Sequence, residues 1–248
     1  MSRWKAAGIH LIISIAVAIG ATLAMIGVMY PWEYFSASGG HKLLTILLSV
    51  DVVIGPLLTL LVFKAGKKSL KMDLTIIALL QLAALVYGLW VVVQARPVFL
   101  VHVGDRFYLV RANELSPDRL EAGKEDRFQR LSWTGPTLAV ALKPADPGRQ
   151  QELLGAAMAG ADFDQFPETY AGYEENRATV LQRTQATSAL LERRPQDTKE
   201  IAQFLEDTAR PAGKTRIVPL KVGITFLSAL IDSETAEILK VFPIDPWD

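Results

Sequence analysis

Apolar residues gather in three long runs in the first part of the chain, about residues 6–29, 43–63 and 72–94. A helix rises about 1.5 Å per residue, so roughly 20 residues cover the ~30 Å hydrocarbon core of a bilayer. Each run therefore predicts a transmembrane helix. From Pro97 onward the pattern becomes that of a water-exposed domain. Residues 98–103 and 106–110 are rich in strand formers and flank Gly104-Asp105, a hairpin signal. Residues 137–142, 216–222, 224–231 and 236–242 also read as strands. Helical composition fills 150–161, 174–192 and 196–207, and Ser116-Pro117-Asp118 and Asp197-Thr198 are helix starts. The predicted fold class is membrane-anchored α+β, with a three-helix transmembrane domain over 1–96 and a mixed α+β periplasmic domain over 97–248. Strands at both ends of that second domain are expected to join one sheet, covered on one face by the helices between them.

Charge sets the expected orientation. The chain is formally neutral, yet residues 1–96 carry 8 Lys and Arg against 3 Asp and Glu (+5), and residues 97–248 carry 18 against 23 (−5). Lys64, Lys67, Lys68 and Lys71 lie between the second and third runs, and Arg3 and Lys5 precede the first. Basic residues mark cytoplasmic segments. The N-terminus and the lysine loop are thus expected in the cytoplasm of a bacterial inner membrane, with everything after Arg96 in the periplasm. Trp4 at one edge and Tyr30, Trp32, Tyr34, Phe35 and Trp90 near the other read as interfacial aromatics. The first run exceeds the apolar stretch of a signal peptide, so it reads as an uncleaved anchor despite a weak small-residue site at Ser36-Ala37-Ser38. There is no cysteine, hence no disulfide. The acidic second domain argues against a nucleic-acid partner.

The second run contains an aspartate, Asp51, which costs about 2.5–3.5 kcal/mol at the centre of a membrane helix and must face a protein partner. Gly55-Pro56 follows it. Proline removes a backbone donor and kinks the helix, so the freed carbonyls need other partners from Thr59 or a neighbouring helix. Depth arithmetic puts Asp51 ~18 Å and Gln81 ~13 Å above the cytoplasmic edge, which predicts an Asp51–Gln81 hydrogen bond in the bundle. Asp51, Gln81, Gly55, Pro56 and His10 are the intramembrane polar and partner-contact candidates.

Catalytic patterns are absent: no nucleophile elbow, phosphate loop or zinc-protease helix occurs. The three histidines, His10, His41 and His102, have no metal-ligand spacing. No catalytic, cofactor-binding or metal-ligating residue is expected, and the chain reads as a non-enzyme. His102 reads as a satisfied strand histidine. Asp162, Asp164 and Glu168 around Phe163 and Phe166 read as solvated loop charge. Glu174-Glu175 and Arg193-Arg194 read as exposed helix ends.

Several segments carry a resemblance: Met1-Ser2-Arg3-Trp4-Lys5-Ala6-Ala7-Gly8-Ile9-His10, Tyr30-Pro31, Val50-Asp51-Val52-Val53-Ile54-Gly55-Pro56-Leu57-Leu58-Thr59, Phe63-Lys64-Ala65-Gly66-Lys67-Lys68 and Ala95-Arg96-Pro97-Val98-Phe99. Together they resemble the TfpX/TfpZ type IV pilin accessory proteins, most sharply through residue 111. The resemblance implies an inner-membrane accessory that assists assembly or surface display of a cognate major type IV pilin. It would do so by binding or stabilising the pilin in the membrane, or by opposing its retraction. The implied partners are the pilin's membrane helix, its periplasmic head and the lipid bilayer, with no cofactor. The alternative is a membrane sensor whose periplasmic domain acts through a separate transducer, since the cytoplasmic face offers no output domain.

Overall fold

The Ser2 hydroxyl accepts a hydrogen bond from the Lys5 amide (3.3 Å) and so opens the first helix, α1 (Arg3–Ala24). The computed structural model describes residues 2–35, 40–158 and 160–247, the side chains of Trp32, Glu33, Leu43 and Leu47 excepted. The chain divides into two compact units, Met1–Arg96 and Pro97–Asp248.

In the first unit, α1 continues through a π-helical turn, Met25–Met29, to the short helix α2 (Trp32–Phe35). The second span comprises α3 (Gly40–Leu48), a π-helical segment Ser49–Ile54 and α4 (Gly55–Val62), and the third is α5 (Leu70–Gln94). Three helical stretches, Arg3–Met29, Gly40–Val62 and Leu70–Gln94, are long and apolar enough to cross a membrane. Their large apolar side chains point outward. Ile12, Leu61, Leu80 and Val86 are all more than half exposed, an arrangement that water penalises and lipid accepts. The small-residue site Ser36-Ala37-Ser38 lies outside the described residues.

Tyr30 departs from expectation. It is fully buried and its hydroxyl donates to the Val92 carbonyl (2.9 Å). With Met25, Phe35 and Val92 it forms a small core at one end of the bundle, Tyr30 and Phe35 meeting edge to face. Tyr34 and Phe35 are likewise buried, so none of the three rings is left exposed to line the lipid interface. Trp4, Tyr87 and Trp90 are exposed.

The second unit is a single mixed sheet with helices packed on it. Its elements in chain order are β1 (Pro97–Val103), β2 (Arg106–Arg111), α6 (Pro117–Glu121), β3 (Thr137–Ala141), α7 (Pro147–Met158), β4 (Tyr170–Gly172), α8 (Arg177–Leu181), β5 (Gln185–Ala186), α9 (Thr187–Arg193), α10 (Lys199–Asp207), β6 (Thr215–Val222), β7 (Thr225–Asp232) and β8 (Ile238–Phe242). The strand order is β4-β3-β1-β2-β6-β7-β8, with β5 also paired to β6. Gly104 takes φ +67° in the β1–β2 turn, a conformation glycine reaches without a Cβ penalty. The two terminal hairpins meet through a short parallel pairing, Phe107 with Leu220 and Tyr108 with Lys221.

Both sheet faces are covered, a correction to the one-face expectation. Side chains alternate along a strand, so β1 sends Phe99 and Val101 to one side and Leu100 and His102 to the other, and all four are buried. Phe99, Val101, Val110 and Ala139 pack with Phe128 and Tyr170. Ile217 and Leu230 pack with Leu190, Ile201 and Leu205 from α9 and α10. The helix expected over 174–192 is broken: Gln185 and Ala186 turn aside to pair with Ile217 and Arg216, and strand bonding wins over helical composition there. Sequence reasoning also missed β4, whose three residues are too few to show alternation.

Candidate functional site

Pro56 shapes the membrane-depth site. In the π-helical segment before it, Gly55 N–H bonds the Val50 carbonyl five residues back. In that register Pro56 would have served the Asp51 carbonyl, but proline has no N–H to give. Gln81 of α5 supplies the donor instead, its Nε2 lying 3.4 Å from the Asp51 backbone oxygen. Gly55 makes this approach feasible, because a Cβ at that position would collide with the Gln81 amide. Asp51, Gly55, Pro56 and Gln81 thus form one local device: a proline-freed carbonyl capped across the bundle. The bond runs to the main chain and not to the carboxylate that depth arithmetic points to.

The Asp51 side chain itself is 7 % exposed, and its Oδ1 has no hydrogen-bond partner among the described residues. A buried polar atom without a partner is costly and marks a place where a further group can bind. π-Helical insertions are frequent at functional positions. His10 lies elsewhere on the seam, its Nδ1 2.6 Å from Thr59 Oγ1, which joins α1 to α4. The next residue in sequence after Asp51, Val52, lines a shallow apolar notch of about 320 Å³ with Ile15, Ala18, Ile19, Thr22 and Leu48. Of the lysine cluster, Lys67 pairs with Asp73 (2.5 Å), whose carboxylate also accepts from Ser69.

The second unit holds a larger cavity of about 780 Å³ between the ends of β1 and β3, α7 and α8. His102 lines it. The expectation of a satisfied strand histidine fails: the ring is 1 % exposed, stacks edge-on against Phe107, and neither nitrogen has a partner among the described residues. Burial pushes its pKa down to about 4, against a small opposing influence from Asp105, so the imidazole is neutral at pH 7.

Nearby carboxylates also depart from expectation. Glu168 is buried and accepts from Arg119 (2.9 Å) and Arg149 (3.3 Å). Asp164 is 6 % exposed with Oδ1 unpartnered among the described residues, and burial raises its pKa to about 6. Solvated loop charge describes neither. Among the described residues no group of three or more His, Cys, Asp or Glu is arranged to hold a metal ion. Arg193 and Arg194 are not idle helix ends: they donate to the Pro246 and Asp245 carbonyls and hold the C-terminal segment against the sheet domain.

Three long apolar helices with a polar seam, followed by a mixed-sheet domain, define a membrane-associated α+β protein. The chain belongs to the fimbrial assembly protein family. It is 32% identical over 118 residues to the fimbrial assembly protein of serogroups C1 and C2 of Dichelobacter nodosus, covering 47% of this chain and 90% of that relative. The serogroup E1 and I proteins of the same organism are each 28% identical over 205 residues, 80% of this chain and 79% of theirs. The family described as fimbrial assembly protein FimB matches residues 1–39. No solved structure matches the chain.

Proposed function

We propose that this protein is an inner-membrane accessory of type IV pilus assembly that holds a cognate major pilin in the membrane before assembly or against retraction. The carrying observations are the buried Asp51 carboxylate oxygen, unpartnered among the described residues, and the apolar notch between α1 and the second span that the next residue, Val52, helps to line. Such a seam offers a second apolar helix a surface, and a small parting of the helices that uncovers the Asp51 carboxylate adds a polar contact; intramembrane polar contacts are worth about 0.6–2 kcal/mol. A photo-crosslinking residue at Ile19 or Val52 is expected to capture the pilin in cells. The same residue at Leu80, an exposed position on α5, is expected to capture it at least fivefold less. Equal capture at all three positions would refute the seam as the docking place.

The lysine loop supports an orientation with the N-terminus in the cytoplasm and the second unit in the periplasm. The absence of cysteine makes a direct check simple. Ile224, 99 % exposed in the β6–β7 turn, is expected to react as Ile224→Cys with a membrane-impermeant maleimide in spheroplasts, while Lys68→Cys stays unlabelled until the membrane is opened. The reverse pattern would overturn both the topology and the reading that rests on it.

A further inference from the structure

The cavity of the second unit has a composition at odds with its surroundings. The unit as a whole carries 18 basic against 23 acidic residues, yet the charged side chains lining the cavity are Lys143 and Arg183. Both are exposed, and neither forms an ion pair among the described residues. Between them lies apolar surface left open to solvent: Leu142, Leu154 and Phe163 are 38 %, 52 % and 47 % exposed. His102, near the end of β1, lies behind this lining with its ring buried.

We infer that this cavity binds an extended peptide segment of a partner protein in which carboxylates are spaced among apolar side chains. Charge complementarity selects the sign: two cations in an otherwise acidic domain draw carboxylates to this place, while the rest of the domain repels them. The apolar surface between the cations receives the peptide's hydrophobic side chains. Polar groups favour a peptide over an acyl chain. Gln151, Gln182 and Thr179 also line the cavity, and their amides and hydroxyl can meet main-chain N–H and C=O groups. An acyl chain has nothing to pair with them. The volume falls in the usual range for ligand sites. This inference does not depend on the membrane-seam reading above, since all its residues belong to the second unit.

The test uses the full-length protein in nanodiscs and fluorescence anisotropy of two labelled hexapeptides, one alternating leucine with glutamate and one alternating leucine with lysine. The glutamate peptide is expected to bind about tenfold or more tightly than the lysine peptide, the scale of a single charge-assisted hydrogen bond. In the double variant Lys143→Glu, Arg183→Glu the preference is expected to reverse, with thermal unfolding unchanged because both positions are on the surface. Equal binding of the two peptides, or a preference that survives the charge reversal, would overturn the inference. So would oleate displacing the bound glutamate peptide at equal or lower concentration, which would assign the cavity to a lipid.

Discussion

Asp164→Asn is expected to stabilise the second unit by about 3 kcal/mol at pH 7.5, the energy of moving a carboxyl from its ordinary 3.8 to about 6. Burial is the main cause; the hydrogen bond from its own backbone amide is the largest opposing influence, Asp162 and Glu114 add to the rise, and Lys221 opposes it weakly. A group whose folded value is raised favours folding below its unfolded pKa, and that contribution is lost as pH rises through the folded one. For Asp164 the loss runs from about 3.8 to about 6. At pH 7.5 the fold bears the full cost of a buried ionised carboxylate, and asparagine removes the charge while keeping the shape. Urea midpoints read by pulse proteolysis in nanodiscs should show the gain at pH 7.5 and almost none at pH 4. The same gain at both values would mean that burial of charge is not the cause.

His102→Leu is expected to act at the other end of the scale. The folded imidazole sits at about 4 against an ordinary 6.5, so its contribution is intact above about 6.5 and fades as pH falls through about 4. The displacement corresponds to about 3 kcal/mol. Leucine cannot be protonated, so the variant should gain on the parent as pH falls from about 6.5 to about 4, and outlast it by nearly that full amount at pH 4 and below. At pH 7.5 the two should differ little, because an apolar replacement of an unpaired buried group is nearly neutral. A variant that is weaker than the parent in acid would show that the ring is held by contacts its neutral form does not explain. The two groups pull in opposite directions between pH 4 and 6, so their contributions to the parent's stability largely cancel across that interval.

Much of the fold is legible from local pattern. The three apolar runs became three helical spans because span length is fixed by the bilayer, and a run of some 20 apolar residues has few other uses. The β1–β2 and β6–β7 hairpins were readable because a turn residue and the flanking strands lie within a few positions of each other. What escaped is non-local. β4 and β5 are too short to carry a period, and each is defined only by its partner strand. Asp164 and Glu168 looked like loop charge because nothing in their neighbourhood reveals that Arg119 and Arg149 cover one and the domain buries the other. At the membrane seam, depth arithmetic brought Asp51 and Gln81 together. The main-chain atom that Gln81 reaches follows from the π-helical register before Pro56, which single-residue reasoning does not supply. Tyr30 looked interfacial from its position at the end of a span, and only the third helix, through Val92, draws it inside.

The join between the two hairpins also governs how the second unit is completed as the chain is synthesised. Phe107 waits for Leu220, and at about 5–20 residues per second that is a delay of roughly 6–20 s. Throughout it the nascent chain displays the raw edge of β2, a template for any strand that passes. Synthesis halted short of Thr215 would leave that edge permanently open, so a shortened product should be cleared by quality-control proteases or clump and not persist as a half-working subunit.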